Sequence, residues 1–393
     1  MKNSYKEFCT GCGLCHDQLG VKFRLNESGC IYPESLTKEQ IAFCDGVCPM
    51  GKNGIGHETT VDGLWGSYKS VYKGFASDEK VRFSASSGGV TTALAIYLLR
   101  KKQVDGVIQV CADARVPYRT QVVCSRTPED VIKCCGSRYS QSAPLYEISK
   151  LIQRNEKYVF IGKPCDVRAM RNLMETTNAF SENIAYMFSF FCAGTPTEKA
   201  NQKLLHELNC LEDNCMGLNY RGNGWPGYTT AIDKSGKQHQ MEYEKSWMTI
   251  LGRDIRKCCK FCFDGIGEAA DISCGDYWNL GVDNKPDFKE SAGQNIVFAR
   301  TQKGNDLLKI AAKDDFIRLT QEDNVEQKLE YCQPNHKNKR STAYAKILAL
   351  KCLIRRRPAY DQKVLKKYAG YANYTLLFNV FKGTVKRIIQ KKL

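Results

Sequence analysis

The 393-residue sequence holds no apolar stretch approaching the roughly 18–20 residues that span a bilayer, which argues against a membrane-crossing helix. No apolar leader opens it: Met1-Lys2-Asn3-Ser4-Tyr5-Lys6-Glu7 runs straight into a cysteine cluster, so a cytoplasmic, reducing setting is expected. Its five histidines (His16, His57, His206, His239, His336) show neither H-x-x-x-H nor H-E-x-x-H spacing, and nothing argues for a histidine metal site or triad. There is no Walker A loop. Net charge is also small over most of the chain. From residue 337 onward there are sixteen Lys or Arg and one acid, Asp361, so this tail carries +15 of the net +16. The basic balance therefore belongs to the tail and says little about the body's chemistry.

What abounds is cysteine, twenty in all. In a reducing compartment these point to metal or redox work. Cys9-Thr10-Gly11-Cys12-Gly13-Leu14-Cys15 has the C-x-x-C-x-x-C spacing that wraps a polynuclear iron centre. Each thiolate reaches a different iron, and Gly11 and Gly13 let the backbone turn tightly. The common bacterial run supplies a fourth cysteine four residues later, where this chain has Leu19. Cys48, followed by Pro49, is the candidate remote ligand, with Cys44 and Cys30 in reserve. Zinc favours two separated C-x-x-C pairs, so a 4Fe–4S cluster is the expectation.

Residues 1–60 read as a small ferredoxin-like module, too short for much core and held by its cluster, ending in the loop 49–56. Residues 68–75 alternate like a strand. Ser84-Ala85-Ser86-Ser87-Gly88-Gly89-Val90 then enters an apolar helix over 91–99. A helix start with free N–H groups suits a phosphate-bearing cofactor, and equally suits an N-cap whose glycines allow close packing. A strand over 106–110 follows, which predicts a β-α-β arrangement. The loop 134–142 offers hydroxyls, a cation and a ring to a phosphate and a flat ring, or is simply solvated.

Apolar strands over 158–162 and 184–191 lead to Cys165 and Cys192 at their carboxyl ends, the edge where open α/β sheets bind ligands. Cys259 and Cys262 form a C-x-x-C pair that could complete a second four-thiolate cage with them. Cys258, Cys215 and Cys274 are the competitors. The glycine-rich turn 219–227 edges a cleft or simply buries Trp225. The tail reads as basic amphipathic helices fitted to the body, to an anionic membrane surface at the inner face, or to an acidic partner. It has no specific nucleic-acid motif. The expected fold is α+β or α/β: a ferredoxin-like module (1–60), a mixed-sheet body (61–335) and a basic helical tail (336–393).

These motifs together resemble the coenzyme F420 hydrogenase/dehydrogenase beta-subunit family, here as a bacterial member. The similarity is carried by residues 9–15, 85–90, 136–142, 162–166, 192–196, 220–227 and 259–278, in that order. The resemblance implies an FAD-containing iron–sulfur oxidoreductase. Its relatives reduce a deazaflavin or a chlorophyll-pathway pigment, or occur among polysaccharide-biosynthesis genes. Carried over, Ser86, Ser87, Gly88, Gly89, Val90 and Thr91, with Ser137, Arg138 and Tyr139, look like FAD contacts. Cys165, Cys192, Cys259 and Cys262 look like the body's cluster ligands. The family's Gly-Thr-Pro-Cys-Gln is Gly162-Lys163-Pro164-Cys165-Asp166 here, which adds a charge pair beside the centre.

The expected chemistry passes electrons between two 4Fe–4S clusters and FAD. The Cys9/Cys12/Cys15/Cys48 cluster would be the port to a ferredoxin or partner subunit. Lys163, Asp166, Tyr139 and Asp276 are the candidates for protonating an organic acceptor. The competing expectation is an electron-relay subunit without a substrate of its own.

Overall fold

The computed structural model describes residues 4–51 and 63–390. The expected loop at Lys52-Asn53-Gly54-Ile55-Gly56, His57, and Lys391 and Lys392 lie outside the described residues.

The sheet has inner strands from runs buried on both faces and more polar strands at its two edges. Its strands are β1 (Ser70–Ala76), β2 (Gly106–Ala112), β3 (Thr120–Ser125), β4 (Tyr158–Gly162), β5 (Ile184–Phe190), β6 (Ile272–Asp276), β7 (Asn295–Ala299) and β8 (Ile317–Gln321). They lie in the order β8-β1-β7-β6-β5-β4-β2-β3. The middle strands β6, β5, β4 and β2 are parallel, and both flanks are antiparallel.

Successive residues serve opposite faces, as the two-residue period requires. Val159 and Phe188 pack beneath α1 (Val90–Arg100) and α3 (Gln302–Lys313). Phe160 and Met187 face α2 (Pro164–Thr177). Leu94 and Leu98 of α1 are fully buried, each worth about 1.5–3 kcal/mol of apolar burial. The predicted β-α-β link holds in direction but not in adjacency. β1 and β2 run the same way, yet β7, β6, β5 and β4 lie between them, because β1 pairs with β7 and β8.

The N-terminal module has the expected scale: a helix at Leu14–Leu19, a short hairpin, and a helix at Lys38–Val47. Thr37 caps that last helix reciprocally with Gln40.

The tail is helical, as its spacing predicts, in α4 (Pro334–Cys352), α5 (Gln362–Ala369) and α6 (Tyr374–Ile389). A body/tail boundary at 335/336 falls inside the first turn of α4, and α4 is built into the body. Arg340, 0% exposed, donates to the Leu64 and Phe263 carbonyls and pairs with Glu268. Tyr360, Leu365 and Tyr368 pack with Phe8 and Met50 of the module and Phe261 and Phe263 of the body. Charge count alone hides this, because a buried Arg and an exposed one read alike.

Candidate functional site

A cavity of about 360 Å³ opens at the carboxyl edge of the parallel strands. Ser86, Ser87, Gly89, Val90 and Thr91 form one wall, with Ser137, Arg138 and Tyr139 beside them. Gly89 caps α1 at φ +77°, a conformation glycine adopts without strain. The Ser87 hydroxyl donates to the Gln294 carbonyl (2.8 Å), and Ser86 Oγ accepts from the Ser137 N–H, which ties the two stretches together. The Val90 N–H donates to Asn295 Oδ1 (3.2 Å), so this one helix-start donor already has a partner. Gly88 stands behind the wall: a Cβ there would lie 2.7 Å from the Gly74 carbonyl and 2.8 Å from Asn295. Its role is close packing.

The opposite wall is aromatic. The Tyr139 ring lies 4.8 Å from Trp247 and 5.5 Å from Tyr220. Arg138 lies 4.9 Å over Tyr220 and donates to the Leu218 carbonyl; burial lowers its pKa. Asp276 accepts two bonds from Arg221 and one from Trp225 Nε1, each 2.9 Å. Arg221 in turn lies 4.4 Å over Tyr243 and 5.2 Å over Trp278. Asp276 is thus an anchor of the wall, and the glycine-rich turn does both things expected of it: Arg221 lines the cavity and Trp225 is buried.

Sequence reasoning missed Trp247, Phe190, Phe191 and His336, all on the cavity wall. His336 is 6% exposed. Its Nδ1 lies 2.8 Å from Gln333 Oε1, and its Nε2 has no partner. Burial pushes its pKa down to about 3, so the ring is neutral. No sequence signal marks it: Gln333 is local, but Phe191 and Gly265, which pack against the ring, are remote in the chain.

Lys163 and Asp166 lie at the floor. Lys163 Nζ donates to Asp166 Oδ2 (2.7 Å) and Ser142 Oγ (2.8 Å). Asp166 is 0% exposed, and its Oδ1 has no partner. Burial pushes the carboxyl upward against the Lys163 ammonium. For Lys163, burial acts to lower the pKa, but the charges of Asp166 and Cys165 outweigh it, and the ammonium stays charged. The pair is a buried, proton-bearing couple on the cavity wall.

The thiols gather in two groups. Cys48 faces Cys12, Cys9 and Cys15, whereas Cys44 bonds only Cys15 among them, so Cys48 is the better placed fourth thiol. The positive φ of Gly11 (+78°) and Gly13 (+91°) is as the motif requires, and a Cβ on Gly11 would sit 2.6 Å from Arg256. The second group joins Cys165, Cys192, Cys259 and Cys262. Of the competitors, Cys258 lies beside Cys259 (Sγ–Sγ 3.9 Å). Cys215 pairs with Cys210 in a separate core, and Cys274 is buried on β6.

Among the described residues no three His, Cys, Asp or Glu side chains close around a single ion. A polynuclear centre holds its thiolates further apart, each on a different iron. The charges around the second group fit such a centre. Lys339, 8% exposed, donates to the Ala193 carbonyl (2.9 Å) and has no carboxylate partner among the described residues. Burial would lower its pKa, yet the charges of Cys262, Cys259 and Cys192 hold it up. A buried cation needs an anion, and the groups here that could supply one are the thiols, once deprotonated. Burial pushes Cys12 and Cys262 up to about 12, a cost that a metal centre removes by taking the thiolate.

Two family models match the chain, both describing the coenzyme F420 hydrogenase/dehydrogenase beta subunit. The model of its N-terminal part matches residues 71–150, and the model of its C-terminal part matches residues 155–325. The coenzyme F420 hydrogenase subunit beta of Methanococcus voltae is 25% identical over 274 residues, 68% of this chain and 90% of that protein. The F420-dependent formate dehydrogenase 1 subunit beta of Methanococcus maripaludis is 28% identical over 62% of this chain but only 59% of its own length. The chloroplastic 7-hydroxymethyl chlorophyll a reductase of Oryza sativa subsp. japonica is 22% identical over 78% of this chain and 61% of its own length. The fold is shared with a chain of the F420-reducing NiFe hydrogenase complex from Methanosarcina barkeri. That likeness has a TM-score of 0.57 at 22% identity and covers 74% of this chain and 95% of that one. The chain belongs to the coenzyme F420 hydrogenase/dehydrogenase beta-subunit family.

Proposed function

We propose that this chain is an iron–sulfur flavoprotein oxidoreductase. In this reading FAD fills the cavity and the two thiol groups hold one 4Fe–4S cluster each. The observation that carries it is Cys192, which both lines the cavity and belongs to the second thiol group. A redox centre there adjoins whatever the cavity holds. FAD exchanges hydride while a 4Fe–4S cluster carries single electrons, so together they interconvert the two chemistries.

The chain's own residues do the rest. Ser86, Ser87 and Ser137, with the α1 start, hold the phosphates, and Tyr139 and Trp247 supply ring surface. Phe190 and Phe191 exclude water. The Lys163–Asp166 couple holds a proton at Nζ or Oδ2 for an organic acceptor, with the Tyr139 hydroxyl as the alternative donor. Asp276 keeps Arg221 in place. The acceptor class is deazaflavin-like, tetrapyrrole-like or a polysaccharide-pathway intermediate, and the buried charge pair at 163 and 166 sets its selectivity.

The Cys9/Cys12/Cys15/Cys48 group, on the small module, is the port to a ferredoxin or partner subunit. α6 is suited to docking beside it, since Tyr374, Phe378 (51% exposed) and Ile389 lie outward among Lys382, Lys386 and Arg387. No described helix is long and apolar enough to cross a membrane, so contact with a membrane would be peripheral, through this basic face.

The test is an anaerobic iron, sulfide and flavin assay on the full chain. About eight iron and one FAD are expected. About four iron without flavin would instead indicate a relay subunit, and stoichiometric zinc would overturn the reading. Ser87→Trp and Thr91→Trp should lower flavin content and leave iron unchanged; unchanged flavin would refute its placement.

A further inference from the structure

Three cysteines that neither thiol group uses lie around the α1 end of the cavity: Cys111 near the end of β2, and Cys134 and Cys135 in the loop before Gly136. Cys134 and Cys135 line the cavity, and Cys135 Sγ lies 3.5 Å from Thr92 Oγ1. The Cys111 S–H donates to the carbonyl of Lys133 (3.8 Å), the residue just before Cys134, which sets the Cys111 and Cys134 thiols side by side. Ser125 touches Cys134 and accepts from Gln109 Nε2 (3.0 Å), which also lines the cavity. Both thiols are partly exposed. The Cys134 bond comes first among the influences on Cys111, with the Arg138 charge also favouring its thiolate; together they hold it near pKa 6. Cys134 is pushed upward as the proton donor. An accessible thiolate beside a cation, with a second thiol in contact, is the arrangement of a reactive dithiol.

We propose that Cys111 and Cys134 form a thiol–disulfide exchange site beside the cavity, which Cys134 lines, with Cys111 attacking and Cys134 resolving. The co-reactant is a low-molecular-weight disulfide, RSSR. The Cys111 thiolate attacks one of its sulfurs, forming Cys111–S–S–R and releasing RS⁻. Cys134 then gives up its proton, and its sulfur attacks the Cys111 sulfur and expels the second RS⁻. The Cys134 proton goes to the first RS⁻; the two protein sulfurs lose two electrons, and RSSR leaves as one RSH and one RS⁻. Oxidation also removes the thiolate facing Arg138, which leaves that guanidinium less compensated toward the cavity.

The test is independent of flavin and clusters, because it reads peptides. The full-length protein is treated anaerobically with oxidised glutathione, quenched in acid, digested without reduction and analysed by mass spectrometry. The expected product in the wild type is a disulfide joining the Cys111 and Cys134 peptides. In Cys134→Ser a glutathione mixed disulfide accumulates on Cys111. The proposal fails if Cys111 takes no glutathione in either protein, or if the wild type keeps the mixed disulfide as readily as the variant. A brief iodoacetamide pulse on the reduced wild type needs no variant. Cys111 should be alkylated about tenfold faster than the exposed Cys352, and an equal or slower rate overturns the proposal.

Discussion

The two thiol groups are both half-buried, but the charges around them are not identical. Cys9 accepts the Gly11 N–H (3.2 Å) and is near Arg256 and Lys163, while Cys12 has the Asp166 carboxylate as its strongest charged neighbour. The second group has Lys339 beside Cys192, Cys259 and Cys262, and the Thr195 N–H on Cys259 (3.4 Å); it shares Asp166 and Lys163 with the first group through Cys165, and Asp264 stands by Cys262. Arg256 joins the two, donating to the Cys9 and Ile31 carbonyls from a segment whose next residues carry Cys258 and Cys259. Net charge and hydrogen bonds to sulfur set cluster potentials. Lys339 faces the second group alone, and a centre held there should have its potential raised by this one cation.

The largest effect that could break this comparison comes from removing one thiol from each group. Cys192→Ser should lose about four iron and abolish turnover with a low-potential donor. Cys12→Ser should lose as much iron yet keep flavin reduction by dithionite. Identical losses of flavin reduction in the two variants would erase the distinction. Next in size, Asp166→Asn should slow acceptor reduction by about 10²–10⁴-fold if the couple delivers the proton, with flavin and iron retained. A change of less than twofold would reassign Lys163 and Asp166 to structure.

Lys339→Met should lower the potential of the second centre alone, read by redox titration followed by electron paramagnetic resonance. An equal shift in both centres would contradict the local assignment. The smallest expected effect is on stability. Burial, with Lys339 and Arg387 nearby, holds Lys346 near pKa 8, below the ordinary lysine value. Its folded-state pKa is depressed, so the unfolded chain binds more protons between about pH 8 and the ordinary value, and stability contributed by this group rises with pH across that window. Relative to Lys346→Met, the wild type should gain a few degrees of Tm there, whereas the variant should be the more stable at pH 7. Parallel Tm profiles would refute the burial of this charge.

Much of the scaffold was legible because local chemistry and tertiary role agree. The strand at 158–162 emerges where the apolar run ends at Gly162 and Pro164, and α1 begins where Gly89 reaches positive φ. The C-x-x-C-x-x-C run needed only its own spacing. The site was legible where one loop carries it, at 86–91 and 137–139, and illegible where the wall comes from distant segments. Trp247, Phe190 and His336 meet only because β5, the segment after the 238–242 hairpin strand and α4 converge on the same edge. Gly88 reads as a contact in the sequence because a glycine that approaches a ligand and one that approaches a neighbouring backbone look the same there.

The sequence by itself determined the local geometry: which residues alternate, which recur at helical spacing, and which cysteines can share a centre. Each of those properties depends on bond geometry over a few residues. Only the tertiary structure decided the pairing of β1 with β7 rather than β2, and the burial of Lys339 and Arg340 inside a tail that counts as basic. Those outcomes depend on long-range packing and on the desolvation of charges, and a cation's cost is set by the anions folding brings to it.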